Sequence, residues 1–352
     1  MLKNWRKITG LLAGLTLLVN VCGWLPSAQA GVFSISTKDE VDMGLKYAQE
    51  LERQYGVVND AELQARVDRI GQRIATVSDR TDIKYTYKVL NAKEVNALAL
   101  PGGFIYVFKG LIDYMPSDDE LAGILGHETG HVVKRHTVHQ IEKSLGLQLA
   151  FLIAFGDRGA FLQNLVYNAV MAGYSRTDER EADQLGFNYS LKAGFSPYSM
   201  LMGLKKLDDL EKKGTYGLFS SHPEPEARVS LVQGYMGTAQ VRPQVTLQKN
   251  QTAQITDRGL TLPPLSAIFQ GYRPYYRACF AAGALYRVSQ LADFSGDRFI
   301  LDSDGTYITV YYEDRQIITL TPQDATTNGV SLSDLAGQYV AALKTWADGL
   351  KR

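Results

Sequence analysis

His127-Glu128-Thr129-Gly130-His131 is the stretch from which the rest of this chain can be read. Two histidines four residues apart stand one turn along a helix and on one face, so both imidazoles can reach one metal ion. In the pattern His-Glu-x-x-His the glutamate beside the first histidine then sits next to the metal's water as general base. Zinc lowers the pKa of a bound water from about 15.7 to about 7, so a strong nucleophile exists at neutral pH. The motif fixes only three positions, but five histidines in 352 residues make a chance match rare, with roughly 0.003 expected. The preceding residues agree with it. Ser117 and Glu120 have the form of a capping box, and Leu121, Ile124 and Leu125 follow at helical spacing. The motif therefore falls inside a helix, and the chain reads as a zinc hydrolase, most simply a peptidase.

A catalytic zinc usually takes three protein ligands and keeps a fourth position open. One sub-class has a glycine three residues and a histidine six residues past the second histidine; Lys134 and Thr137 stand there and exclude it. His136 falls about 500° around the helix from His131, that is about 140° off the ligand face. It and His139 are read as structural or surface residues. The better candidate lies in Tyr174-Ser175-Arg176-Thr177-Asp178-Glu179-Arg180-Glu181-Ala182-Asp183. Glu179 and Asp183, four apart, can both face the zinc helix. Glu179 is a candidate ligand, and Asp183 a candidate acceptor that fixes the tautomer of a ligating histidine. Glu181 points about 200° away from Glu179. The alternative is a charged, solvated helix face, and the pattern alone leaves Glu179 evenly balanced between the two.

With these residues in place, the chain resembles the gluzincin zinc metallopeptidases that include the CAAX prenyl endopeptidases, HtpX and BepA. The resemblance covers roughly residues 38 to 232 and is to the soluble, exported, BepA-like branch. Four blocks carry it: Asn96 to Val107; His127 to His131 with Val132, Val133 and His136; Tyr174 to Asp183; and Ser221-His222-Pro223 with Arg228 six residues after the histidine. The resemblance implies that Glu179 is the third ligand and Asp183 its hydrogen-bonding support. It also implies that His222 and Arg228 lie near the metal, where they would stabilise the oxyanion of a tetrahedral intermediate. In BepA-like proteins the histidine can instead occupy the open zinc position and hold the enzyme latent. Both roles stay open; without the resemblance His222 is a histidine in a Pro-rich turn.

Phe104 to Phe108 is apolar and β-prone, bounded by Pro101-Gly102-Gly103 and Gly110. It is read as an edge strand to which an extended peptide adds, with Asn96, Ala97, Phe104, Ile105 and Tyr106 as substrate contacts. A plain core strand is the alternative. The first thirty residues read as a leader: Lys3, Arg6 and Lys7, the apolar run Ile8 to Leu18, and the cleavage signal Ala28-Gln29-Ala30. Val19-Asn20-Val21 lacks the small residues expected before a lipidated Cys22. Starting from Gly31, the chain has 34 basic and 37 acidic residues, a net charge of −3 that argues against a nucleic-acid partner. It keeps only Cys279, so no internal disulfide is expected, and a chain of this size can bury enough core without one. The expected compartment is the periplasm or cell envelope of a bacterium. Leu147 to Phe155 is apolar but too short to cross a bilayer. Residues 143–173 are read as buried helices over the site, with association with a membrane surface as the alternative.

The expected fold class is α+β. A mostly helical zincin-type domain with a small β-sheet spans 31–238, a polar linker 239–264, and a small C-terminal α+β accessory domain of unknown role 265–352. The first helix is expected to be capped by Thr37-x-x-Glu40, a second to run from about Asp60 to Ala75, and Lys84 to Leu90 to form a strand. Near the C-terminus, Arg298 to Leu301, Tyr307 to Tyr312 and Gln316 to Leu320 read as strands. A closing helix follows with Leu335, Tyr339, Leu343, Trp346 and Leu350 on one face. No helical repeat of the BepA kind is present. Tyr272, Tyr275 and Tyr276 are read as packing rather than a contact patch. The functional expectation is an exported endopeptidase with one Zn2+ per chain. Its substrates would be unfolded or misassembled envelope polypeptides, with envelope assembly machinery as a candidate partner. The rival is a chaperone-like envelope assembly factor with latent or rare proteolysis.

Overall fold

The computed structural model describes residues 34–144, 166–170, 172–212, 222 and 225–350. The expected leader at 1–30 and the apolar run 147–155 lie outside the described residues. Helix α1 (Thr37–Tyr55) begins with Ser36, whose hydroxyl accepts from Asp39 N, so the expected Thr37-x-x-Glu40 cap does not form. Glu40 is instead turned inward, where Arg80 grips it with two bonds of 2.8 and 2.9 Å and Arg135 with one of 2.8 Å. Helix α2 (Ala61–Ala75) is capped by Asp60.

Strands β1 (Thr86–Leu90), β2 (Ala97–Leu100) and β3 (Phe104–Phe108) form a sheet in the order β1-β3-β2, with β3 parallel to β1 and antiparallel to β2. The expectation that 104–108 is an edge strand is therefore wrong. Phe104, Ile105 and Tyr106 are paired on both sides, and the edges are β1 and β2. Side chains of β3 alternate between two cores. Ile105 and Val107 pack with Val67 and Ile70 of α2; Tyr106 and Phe108 pack with Tyr47 and Leu51 of α1. A strand covered on both faces is a continuous apolar run whatever its place in the sheet, so composition could not reveal its rank. Gly102 and Gly103, at φ 76° and 92°, make the β2–β3 turn in a backbone region that other residues rarely adopt.

After the short helix α3 (Lys109–Tyr114), α4 (Asp118–Val133) carries the motif. Its capping box forms as expected: Glu120 N donates to Ser117 Oγ at 3.1 Å, and Ser117 N to Glu120 Oε2 at 3.2 Å. Such a cap contributes about 1 kcal/mol. Helices α5 (Arg176–Lys192), α6 (Ser199–Glu211) and α7 (Pro225–Thr238) complete this half. Packing of α4 on α5 is set by glycines. A Cβ on Gly130 would lie 2.9 Å from the Ala182 backbone, one on Gly126 2.8 Å from the Gly186 carbonyl, and one on Gly186 2.6 Å from His127 N.

Residues 239–264 are not a bare linker. They hold β4 (Gln244–Leu247), β5 (Ala253–Asp257) and β6 (Leu260–Thr261), an antiparallel sheet in that order. Ala253, Ile255 and Leu260 face the core while most of β4 faces solvent. A sheet with one wet face shares its polar composition with a linker. Helix α8 (Pro274–Ser289) follows, then the antiparallel sheet β7 (Phe299–Ser303), β8 (Ile308–Tyr312) and β9 (Arg315–Leu320), then α9 (Pro322–Thr327) and α10 (Leu332–Leu350). Leu335, Tyr339, Leu343 and Trp346 are buried, but Leu350 is 45% exposed at the helix end. One apolar core runs from Phe187, Met200 and Leu204 through Val232 to Leu285, Tyr339 and Trp346. Mostly helical layers around small sheets make this an α+β protein. Among the described residues, no helix is long and apolar enough to cross a membrane.

Asp324 ties the C-terminal half together. It accepts from Ser266 N, Ala267 N, Thr321 N and Oγ1, and both terminal nitrogens of Arg277, at 2.8–3.1 Å. Burial pushes its carboxyl upward, but Arg277 outweighs that and holds it below its ordinary value. A depressed folded-state value means that this stabilisation is complete above the unfolded carboxylate value, about 3.9, and is lost as pH falls through the folded one. Asp324→Ala should cost about 3–5 kcal/mol at neutral pH, since it leaves Arg277 buried without its partner. In urea titrations from pH 6 to 2 the variant should also lack part of the parent's acid-induced loss. Equal stability of the two proteins at pH 7 would contradict this.

Candidate metal centre

Helix α4 presents His127, Glu128 and His131 in its last two turns, and α5 presents Glu179 and Asp183 across the glycine contact. His222 comes from just before α7, and Arg228 from the first turn of α7. None of the seven is more than 5% exposed. One donor atom each of His127, His131, Glu179 and His222 lies within 4.8 Å of the others. His127 Nε2 is 3.0 Å from His131 Nε2 and 3.1 Å from His222 Nδ1. Glu179 Oε1 is 2.8 Å from His222 Nδ1 and 3.5 Å from His131 Nε2, and its Oε2 is 3.6 Å from His127 Nε2.

These distances allow a test of fit. Tetrahedral zinc bonds of ~2.0–2.1 Å place two ligands roughly 3.3 Å apart, and the separations above scatter around that value. Contacts among the residues do not satisfy the group by themselves. Among the described residues, both oxygens of Glu128 are buried without a hydrogen-bond partner, which protein interiors rarely tolerate. The donors fit zinc in number, type and spacing.

A model described as Peptidase family M48 matches residues 61–236, half of the chain. The chain belongs to peptidase family M48. With the family comes its class, the zinc metallopeptidases, in agreement with the donor set and with the resemblance read from the four sequence blocks. A second model, described as a Domain of unknown function (DUF8459), matches residues 254–347. Similar curated proteins include a putative beta-barrel assembly-enhancing protease of Vibrio cholerae, 27% identical over 56% of this chain and 44% of that protein. Mitochondrial metalloendopeptidase OMA1 of Schizosaccharomyces pombe is 31% identical over 50% of this chain and 54% of that one. Metalloprotease YcaL of Escherichia coli is 30% identical over 48% of this chain and 70% of that one. The match thus spans about half the length of the first two.

Around the four candidate donors stands a ring of supports. His127 Nδ1 lies 2.9 Å from Asp183 Oδ1, a contact of the kind that orients a ligating imidazole. Arg228 donates from Nε and Nη2 to the two Asp183 oxygens at 2.8 and 2.7 Å, and its Nη1 makes a 2.6 Å ionic contact with Glu179 Oε2. Tyr174 stacks on the His131 ring at 3.7 Å and shares a 2.9 Å hydrogen bond with Thr137. His136 meets His131 ring-nitrogen to ring-nitrogen at 2.8 Å. Sequence reasoning set His136 aside and assigned Tyr174 no role. Ring stacking has no spacing rule to betray it, although Tyr174 directly precedes the α5 cap. Glu181 turns away toward Lys134 and His136, and His139 is exposed. Asn96, Ala97, Phe104, Ile105 and Tyr106 stand in or beside the sheet, outside the donor group.

Burial is the largest influence on His131, Glu179, Asp183 and His222. It drives His131 well below the ordinary histidine value, aided by the His127 ring. For Glu179 it acts upward, but His222, Arg228 and His127 outweigh it and hold the carboxyl far below its ordinary value. Arg228 does the same for Asp183 against the same burial. His222 is burdened by burial yet raised on balance by Glu179 and Glu128.

Removing the Asp183 carboxylate should loosen the His127 ring. Asp183→Ala is expected to bind zinc about 10–100-fold more weakly, measured by competition with a chromogenic chelator. Parent-like affinity would show that Asp183 does not orient a ligand.

Proposed function

We propose that this protein is an exported zinc endopeptidase that cuts unfolded or misassembled polypeptides of a bacterial cell envelope. The buried four-donor group carries the proposal, with the Glu128 carboxylate beside it and without a hydrogen-bond partner among the described residues. His127, His131 and Glu179 would hold the metal and leave a fourth position for water, with His222 close beside it. When bound, zinc supplies Lewis-acid polarisation and an activated water. Glu128 takes the proton of the attacking water and returns it to the departing amine. Asp183 keeps His127 in its ligating tautomer. Arg228, with its guanidinium committed to Asp183 and Glu179, balances their charge and is better suited to holding the ligands than to meeting an oxyanion. The substrate strand is reassigned from β3 to the edge of β2, which packs along α4; backbone pairing there tolerates varied sequences. Export rests on the leader pattern. The envelope setting rests on that leader and on the relatives named for beta-barrel assembly. It leaves the assembly machinery as a candidate partner. The division into a catalytic domain at 31–238 and a smaller C-terminal module is part of the same proposal.

One observation favours a second reading, an assembly factor whose proteolysis is latent. His222 lies inside the donor group, with its Nε2 3.6 Å from Glu128 Oε1. There it would keep out the water that Glu128 needs.

Glu128→Gln should keep its zinc and lose at least ~10²-fold in casein cleavage; full activity would sink the mechanism. His222→Ala separates the two readings. Faster cleavage than the parent means the histidine holds the enzyme latent, whereas slower cleavage means it helps the reaction.

A further inference from the structure

Helix α4 meets α5 and α6 partly through glycines. Gly126 and Gly130 face α5, and a Cβ on Gly123 would lie 2.6 Å from the Ser199 carbonyl at the start of α6. Glycine contacts let helices approach closely but give little interlocking along the axis. Apart from its apolar packing and the bonds of Ser190 to Ala122 O and Tyr87 to Thr129, the position of α4 along its own length is set by what grips its ends. At the C-terminal end, Arg80 donates to Val132 O at 2.9 Å. The grip at the other end is shared between the catalytic half and the C-terminal module.

Tyr276, Gly283 and Arg287 of α8 share one helical face, being seven and four residues apart. Each meets the catalytic half. Tyr276 donates to Asp209 of α6 at 2.9 Å. A Cβ on Gly283 would lie 2.0 Å from Ser196 Oγ, so the α8 backbone is pressed against the turn before α6. Arg287 Nη1 reaches both oxygens of Asp119 at 3.0 Å, and Ser196 N donates to the same carboxylate at 2.8 Å. Just before α8, Tyr272 donates to Glu120 Oε2 at 2.8 Å, its ring steadied edge-on by Phe280. Asp119 and Glu120 are first-turn residues of α4. Glu120 is fully buried, with Lys206 Nζ 2.7 Å from its other oxygen and 4.7 Å from the Tyr272 ring.

We infer that the C-terminal module positions the zinc helix: Tyr272 and Arg287 fix the first turn of α4, and through it the placement of His127, Glu128 and His131 against Glu179. This gives the module, which matches a domain of unknown function, a part in the peptidase itself. It rests on the proposed reading of α4 as the zinc helix.

The test compares the full-length parent with Tyr272→Phe, Arg287→Met, the double variant and Arg287→Lys, each loaded with zinc or with cobalt(II). The double variant should keep the parent's near-ultraviolet circular dichroism. Its kcat for casein peptides should fall roughly 10-fold with KM unchanged, since small misplacements of catalytic groups are costly. Its cobalt absorption bands, which report ligand geometry, should shift. Arg287→Lys should recover most of both readouts. Parent-like kcat and cobalt bands in a folded double variant would overturn the inference. If the double variant does not fold, Tyr272→Phe, which removes one oxygen, decides by the same two readouts. Cobalt bands do not depend on turnover. A failure of the peptidase reading, seen as full activity in Glu128→Gln, is therefore distinguishable from a failure of this one.

Discussion

The close approach of α4 and α5 is the constraint on which the site depends. Helices usually pack with axes about 8–10 Å apart, and side chains at Gly126, Gly130 and Gly186 would force these two apart. Glu179 and Asp183 have short reaches. They meet His127 and His131 only because the backbones nearly touch. The arrangement carries a cost: each glycine inside a helix disfavours it by roughly 1 kcal/mol relative to alanine, and α4 holds Gly123, Gly126 and Gly130. The capping box, the buried apolar surround and the bonds at both helix ends offset that weakness. Chemistry and fold stability thus make opposite demands on the same helix, and its neighbours reconcile them.

Charge follows the same logic. Glu128, Glu179 and Asp183 crowd three carboxylates into a site with almost no solvent, which burial alone would not tolerate in ionised form. Arg228 spans two of them, and His222 contributes where Glu179 and Glu128 converge. At the C-terminal end of α4 the balance is reversed. One carboxylate, Glu40, serves two guanidiniums, Arg80 and Arg135, and Arg80 also bonds the last-turn carbonyl of Val132. Cations at a helix C-terminus oppose its negative dipole end, so this cluster secures the helix electrostatically as well as by hydrogen bonds.

What the chain disclosed in advance was local. The capping box at Ser117 and Glu120, the histidine spacing and the Glu179–Asp183 pair are set by one helical turn, and each reappears with the expected neighbours. What escaped depended on partners distant in sequence. Strand order escaped because an apolar strand looks alike at the centre or the edge of a sheet. The β4–β5–β6 sheet escaped because its wet face reads as a linker. Glu40 has the look of a surface cap residue until Arg80 and Arg135 arrive from elsewhere in the chain. The face of α8 escaped for a similar reason: Gly283 and Arg287 mean little without Ser196 and Asp119 opposite them.

The first turn of α4 shows why two halves of the chain must cooperate. Asp118, Asp119 and Glu120 are consecutive, so they project about 100° apart around the helix axis. Each is met by a cation from a different helix: Asp118 by Arg66 of α2 at 2.6 Å, Asp119 by Arg287 of α8 at 3.0 Å, and Glu120 by Lys206 of α6 at 2.7 Å. Two such contacts could be kept while the helix turned about its axis. Three, spread around the circumference, resist rotation as well as sliding. Acidic residues at a helix N-terminus are favoured by the dipole in any case, but a dipole does not choose an angle. The choice of angle lies in the three partners, and one of them is supplied from beyond residue 239.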